Sequence, residues 1–235
     1  MLLKSKGIIT QLQKNILTHF SAIKDSNNFY LTGGTALAEF YFGHRKSFDI
    51  DLFTSQKELI IPFSYVFEEK MSEIFTVKII RRFETFVEFE VGKSTETVKV
   101  QFAYDSPFRI KQPVDSDIGV KVNNYEDIIT DKLLTFFGRS EPRDAIDLFF
   151  ILQKENFEQL IDFAYKKDTG FDLYWFAIAL EKVKKFPDDL KQWPVEMIRE
   201  VDIKKLKNTF ENLTLKIMQK IKQHSRKNKD YLLFR

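Results

Sequence analysis

The 235-residue chain contains no cysteine. That excludes disulfide frameworks, thiolate-held zinc, iron–sulfur clusters and thiol nucleophiles. Histidine is scarce too: His19, His44 and His224 are far apart and form no HxxxH or HxH pattern, which argues against a histidine-built metal site. No run of apolar residues reaches membrane-spanning length. The first residues, MLLKSKGIITQLQKNIL, show neither the apolar stretch nor the small-residue cleavage site of a signal peptide, so a cytoplasmic protein is expected. With 43% hydrophobic and 30% charged residues, the chain has the make-up of an ordinary globular protein.

Aromatic residues are unevenly represented. There are 25 Phe but only 2 Trp, and phenylalanine at helical or strand spacing reads as core. The net charge of +3 is uneven as well. Residues 201–235 hold ten Lys or Arg against three Asp or Glu, a net of +7, which leaves −4 for the rest. A basic segment on a mildly acidic body either attracts a polyanion or forms a solvated helix face.

Periodicity divides the chain into a mixed N-terminal part and a helical C-terminal part. Ile8, Leu12, Ile16 and Phe20 predict a helix over 4–24. Short strands are expected at 29–31 and 48–53, with a helix at 35–42 between them. A helix at 57–71 follows, then strands at 76–91, broken near Arg81–Arg82, and at 97–104, joined by Gly92–Thr95 as a hairpin turn. Beyond residue 123, helices are expected at 123–137, 143–153, 155–166, 172–185, 194–200 and 202–226. The reading is an α+β protein: a mixed sheet with flanking helices over 1–120 and an all-helical part over 121–235.

One constellation stands out. Gly33-Gly34-Thr35 precedes a helix, and Asp49-Ile50-Asp51 lies on the next strand. Glycines at a helix start let the backbone approach a ligand, and the free N–H groups with the helix dipole favour an anion such as a triphosphate. Side chains alternate along a strand, so Asp49 and Asp51 share a face. Parallel carboxylates repel and call for a cation or basic partner. Mg²⁺, or Mn²⁺, suits a carboxylate pair completed by substrate phosphates.

The stretch L-T-G-G-T-A-L-A…G-H-R-K-S-x-D-I-D-L-F resembles the nucleotidyltransferase toxins of the AbiEii/AbiGii family, of the DNA polymerase β-like nucleotidyltransferase superfamily. The resemblance is strongest over 29–53 and returns over 120–152. There, Asp127-Ile128-Ile129-Thr130-Asp131-Lys132-Leu133 is similar to the family's lysine motif, and Arg143-Asp144-Ala145-Ile146-Asp147-Leu148 to its RDxxDL motif.

The resemblance implies a nucleotidyltransferase fold and a metal-dependent enzyme that moves a nucleotidyl group from a nucleoside triphosphate to an acceptor. Asp49 and Asp51 would hold the metal. Gly33, Gly34, Thr35 and Ser47 would cradle phosphates, and Arg143 would assist. Lys132 would be a phosphate ligand, with Asp147 or Asp144 as an acid–base or orienting group, so that the helical part completes the active site. Arg45 would contact phosphate or neutralise the aspartate pair, and His44 is expected to be a loop residue rather than a ligand. The implied biology is a toxin of a toxin–antitoxin or abortive-infection pair, with a cognate antitoxin and with RNA, the tRNA 3′ end foremost, as acceptor.

Residues alone also allow plainer readings: an i,i+4 surface pair between Arg143 and Asp147, and a nucleotide- or partner-binding module without turnover. One departure bears on this choice. Many superfamily members carry a third carboxylate on a later strand, where this chain has Gln101, a poor Mg²⁺ ligand. Glu88, Glu90 and Asp105 are the acids available to replace it. A third reading is nucleotidylation of a protein side chain.

Overall fold

A computed structural model describes residues 2–233, with side chains as far as residue 223. Thr10 sets the start of the first helix, α1 (Gln11–Ser21). Its hydroxyl accepts from the Gln13 N–H at 3.1 Å, while the Gln13 amide oxygen accepts from the Thr10 N–H at 2.9 Å. This reciprocal cap satisfies two donors that a helix start leaves without partners. The helix is therefore shorter than the sequence predicts, because residues before Thr10 are used elsewhere. The backbone N–H groups of Gly7, Ile8 and Ile9 all donate to the buried carboxylate of Glu39, at 2.7, 2.6 and 2.9 Å.

After α1 come β1 (Tyr30–Thr32), a short helix α2 (Gly33–Ala36) that continues as a π-helical turn over Leu37–Phe42, β2 (Ile50–Thr54) and α3 (Ile60–Ser72). An antiparallel trio follows: β3 (Thr76–Phe83), β4 (Phe86–Lys93) and β5 (Glu96–Tyr104). The break between β3 and β4 is at Glu84–Thr85, not near Arg81–Arg82. What lies near the arginines is a β-bulge, between Ile79 and Arg81. Two short strands unforeseen in the sequence, β6 (Val114–Asp115) and β7 (Lys121–Val122), complete a seven-stranded mixed sheet of order β3-β4-β5-β2-β1-β7-β6. β2 runs parallel to β5 and antiparallel to β1.

Alternation gives this sheet two different faces. Phe89 and Phe102 point to the side where α1 and α3 lie, and interlock with Phe20, Phe63 and Phe67 at ring separations of 4.9–6.5 Å. Much of the abundant phenylalanine is thus core. On the opposite face, register aligns Thr32, Asp51, Gln101, Glu88 and Arg81 in one row across five strands.

Most of the rest of the described chain is helical: α4 (Tyr125–Arg139), α5 (Pro142–Leu152), α6 (Phe157–Lys167), α7 (Leu173–Glu181) and α8 (Ile203–Leu233). The segment expected as a helix over 194–200 is irregular instead. Met197 forms an isolated bridge with Arg45, and the Ile198 and Arg199 N–H groups donate to the His44 carbonyl. The backbone separates into two units: Met1–Ile128 with Glu196–Arg199, and Ile129–Val195 with Glu200–Arg235. No described helix is long and apolar enough to cross a membrane.

Candidate active site

The Gly-Gly turn and the aspartates are neighbours. Gly33 has φ +70°, a left-handed conformation that glycine adopts without strain. A Cβ there would stand 2.0 Å from Asp51 Oδ2. Asp51 therefore sits directly against the backbone that opens α2. At Gly34 a Cβ would stand 2.7 Å from both Arg45 Nη2 and Ser47 Oγ. The two glycines are the surfaces on which a carboxylate, a guanidinium and a hydroxyl converge. Thr35 locks the arrangement, its hydroxyl donating to the Asp49 carbonyl. Thus Gly33, Gly34, Thr35, Arg45, Ser47, Asp49 and Asp51 all belong to one unit and cluster where β1 meets α2 and β2. Arg45 is almost fully buried, and its Nη1 donates to the Lys46 carbonyl at 2.9 Å. His44 is buried in edge contact with Phe42, as expected of a loop histidine.

The donor set fits a magnesium ion shared with a nucleotide. β2 begins at Ile50, so Asp49 lies just before the strand that carries Asp51; the two carboxylates can supply part of an octahedral shell, and phosphate oxygens the remainder. Among the described residues, no three or more His, Cys, Asp or Glu side chains are grouped to hold a metal by themselves.

Gln101 lies beside Asp51 in the cross-strand row, and its amide nitrogen donates to Glu88 Oε2 at 2.7 Å. Glu88 is only 7% exposed. An acid thus stands one strand farther along from the position where the sequence lacks one. Only the long-range register of β4 on β5 reveals it.

A second network holds the chain around β1. Asn123 is fully buried; its amide donates to the Thr32 hydroxyl at 3.0 Å and accepts from Arg109 Nη1 at 3.0 Å. Arg109 also bonds Asp105 at 2.7 Å and lies 3.9 Å above the Tyr30 ring. The Tyr41 hydroxyl donates to the Asn123 carbonyl at 2.7 Å, and burial pushes its phenol well above the ordinary range, with the Glu126 charge adding to the shift. Asp105 is thereby committed to a structural network. Asp127, also buried, accepts the N–H groups of Ile110 and Lys111 at 3.2 and 2.8 Å.

In the helical unit, the later motif residues pair differently from the simple surface reading. Lys132 Nζ lies 2.9 Å from Asp147 Oδ2, both nearly or fully buried. Asp144, fully buried, takes a two-pronged bond from Arg139 at 2.7 and 2.8 Å, which holds the guanidinium pKa above its ordinary value. Arg143 bonds Glu141 at 3.0 Å. Asp147 thus meets Lys132 from another helix, while Arg143 reaches Glu141 beside it. On α8, Lys207 bonds Asp188 at 2.7 Å, and Lys216 and Lys220 both reach Glu158. The part of the basic segment beyond residue 223 lies outside the described side chains.

Comparison with known proteins decides the family. The model of the "Nucleotidyl transferase AbiEii toxin, Type IV TA system" matches residues 15–231. The chain belongs to the AbiEii toxin family. An uncharacterized protein of Aquifex aeolicus (strain VF5) is 27% identical over 211 residues, covering 85% of this chain and 97% of its own. Two Helicobacter pylori structures share the fold. A candidate nucleotidyltransferase superposes with TM-score 0.62 at 20% identity, over 91% of this chain and 94% of its own. The protein JHP933 gives 0.60 at 19%, over 94% and 95%. The nucleotidyltransferase fold and the family expected from the sequence are therefore both found.

Proposed function

We propose that this AbiEii-family protein is a Mg²⁺-dependent nucleotidyltransferase of the cytoplasm that transfers a nucleotidyl group from a nucleoside triphosphate to the 3′ end of an RNA, tRNA foremost, and is held in check by a cognate antitoxin. One observation carries the reading: Asp51, on the open face of β2, abuts the Gly33 backbone at the start of α2, and Asp49, immediately before β2, is tied to Thr35 by its carbonyl. Carboxylates for a cation and N–H groups for a phosphate chain are thereby adjacent.

In the proposed reaction, an acceptor hydroxyl oxygen bonds the α-phosphorus, the bond to pyrophosphate breaks, and the hydroxyl proton passes to a base. Asp49 and Asp51 would hold the metal. When bound, Mg²⁺ would offset negative charge on the α-phosphate and the departing pyrophosphate. The Gly33–Thr35 backbone would seat the phosphates, with Arg45 and Ser47 above Gly34. Lys132 as phosphate ligand, Arg143 as its helper and Asp144 or Asp147 as orienting groups enter as the family resemblance implies. The net +7 of residues 201–235 supports a polyanionic acceptor.

Gln101 supports a second reading, in which nucleotide is bound without transfer. The deciding experiment incubates the protein with total tRNA, Mg²⁺ and each labelled nucleoside triphosphate, beside Asp49→Ala/Asp51→Ala. Label on tRNA with wild type alone supports the transferase. Metal-dependent nucleotide binding with no labelled RNA favours the binding module, and label on protein instead favours a side-chain acceptor.

A further inference from the structure

The open sheet face carries a cleft of about 350 Å³ on the far side of the aspartates from the Gly-Gly turn. Phe48 and Ile80 wall it, Asp49 borders it, and Glu88, Glu90 and Lys99 are among its other lining residues. Its size is at the lower end for small-molecule pockets and suits one nucleoside. Phe48 is 49% exposed and Ile80 40%, an unusual amount of bare apolar surface beside a carboxylate pair. Ile80 stands where the β3–β4 register shifts, between Ile79 and Arg81. A bulge of this kind re-aims one side chain, here to the same cleft as Glu88.

Sheet order assigns a use to this cleft. The strands run β4-β5-β2-β1, so Asp49 and Asp51 separate the cleft from the β1–α2 turn. In nucleotidyl transfer the attacking and leaving oxygens lie roughly in line on opposite sides of phosphorus. If the leaving pyrophosphate rests on the Gly33–Gly34 turn, the attacking hydroxyl arrives from the β5–β4 side.

We propose that the cleft between Phe48 and Ile80 is the acceptor subsite, binding the 3′-terminal nucleoside of a single-stranded RNA with its base stacked on Phe48 and a ribose hydroxyl donating to Glu88. This rests on the transferase reading and adds the position of the acceptor to it. The Gln101 amide fixes Glu88 from one side, and its carboxylate is a strong acceptor for a ribose hydroxyl. The acids do not leave the face uniformly negative. Register places Lys99 and Lys78 opposite Glu90 and Arg81 opposite Glu88, so cations suited to the strand's phosphates border the cleft.

The test measures binding, so turnover is not needed. A tetraribonucleotide ending in 2-aminopurine is titrated with wild type, Phe48→Ser, Phe48→Tyr and Glu88→Gln. Fluorescence reports stacking, Ca²⁺-supported ATP and UTP binding is measured in parallel, and thermal melting confirms that each variant folds. Quenching by wild type, retained in Phe48→Tyr and weakened roughly tenfold or more in Phe48→Ser, is expected. Glu88→Gln is expected to narrow the preference over the matching deoxyribonucleotide. Nucleotide affinity should not change in the two Phe48 variants. Loss of nucleotide binding in Phe48→Ser, with oligonucleotide binding intact, would overturn the proposal and give the cleft to the base of the triphosphate. Absence of quenching by wild type, or equal quenching by all variants, would also overturn it. The labelled-tRNA experiment reads transfer independently, so failure of the subsite and failure of the transferase are distinguishable.

Discussion

Gly33 and Asp51 occupy space that neither could share with one more carbon atom: a Cβ on the glycine would lie 2.0 Å from the carboxylate oxygen. Gly33→Ala also forces a left-handed backbone on an L side chain. The expected cost is at least about 2 kcal/mol, because the left-handed strain alone is roughly 1–2 kcal/mol and the carboxylate must move as well. Gly34→Ala meets only the movable ends of Arg45 and Ser47, so about 1 kcal/mol is expected. Thermal unfolding separates the two. Mn²⁺ binding in the presence of nucleotide, followed by electron paramagnetic resonance, should be lost both in Gly33→Ala and in Asp51→Asn.

Lys132 and Asp147 form a buried pair, so removing one partner strands the other charge. Lys132→Ala or Asp147→Ala should each cost about 3–5 kcal/mol, whereas Lys132→Met/Asp147→Leu should recover most of that stability. Urea unfolding checks this. If the pair also serves transfer, the double variant folds but labels no acceptor. A purely structural pair would restore labelling along with stability.

Glu39 is a carboxylate held by three backbone donors of the N-terminal segment. Hydrogen bonds to a charged group are worth about 1.5–3 kcal/mol each and do not add fully, so Glu39→Ala should cost about 3 kcal/mol or more. Amide exchange at Gly7, Ile8 and Ile9 should accelerate far more than at Leu52 or Val100.

Glu158 gives a pH dependence of known sign. Its bonds to Lys220, and secondarily to Lys216, hold its carboxyl below the ordinary 4.5. A lowered folded pKa contributes stability above the unfolded value, and that contribution disappears as pH falls through the folded value. Comparison of wild type with Glu158→Gln should show a gap below about 1 kcal/mol at pH 7, since the pair is solvent-screened. The gap should close below pH 4.5 and shrink in high salt.

The local parts of the site were readable in order along the chain. The Gly-Gly turn, the helix after it and the strand that carries Asp51 depend on residues within one β–α–β stretch. Glu88 was not readable as Gln101's partner because their adjacency depends on the register of β4 on β5. Asn123, at the start of the helix expected over 123–137, proved to be a buried hub, because its neighbours Thr32 and Arg109 come from other elements. The helix expected over 194–200 failed for a related reason. Its backbone groups are claimed by His44, Arg45 and Lys46, and such tertiary bonds override local propensity.

The parallel pairing of β2 with β5 has a consequence for synthesis. A chain emerging from the ribosome presents β1, α2 and β2 by residue 54, yet the strand that β2 needs on its other side ends at Tyr104. Two antiparallel strands alone are marginal in water. Both aspartates are therefore made early but stay unsupported until some fifty further residues have been added. A ribosome carrying a half-made toxin would carry a harmless one.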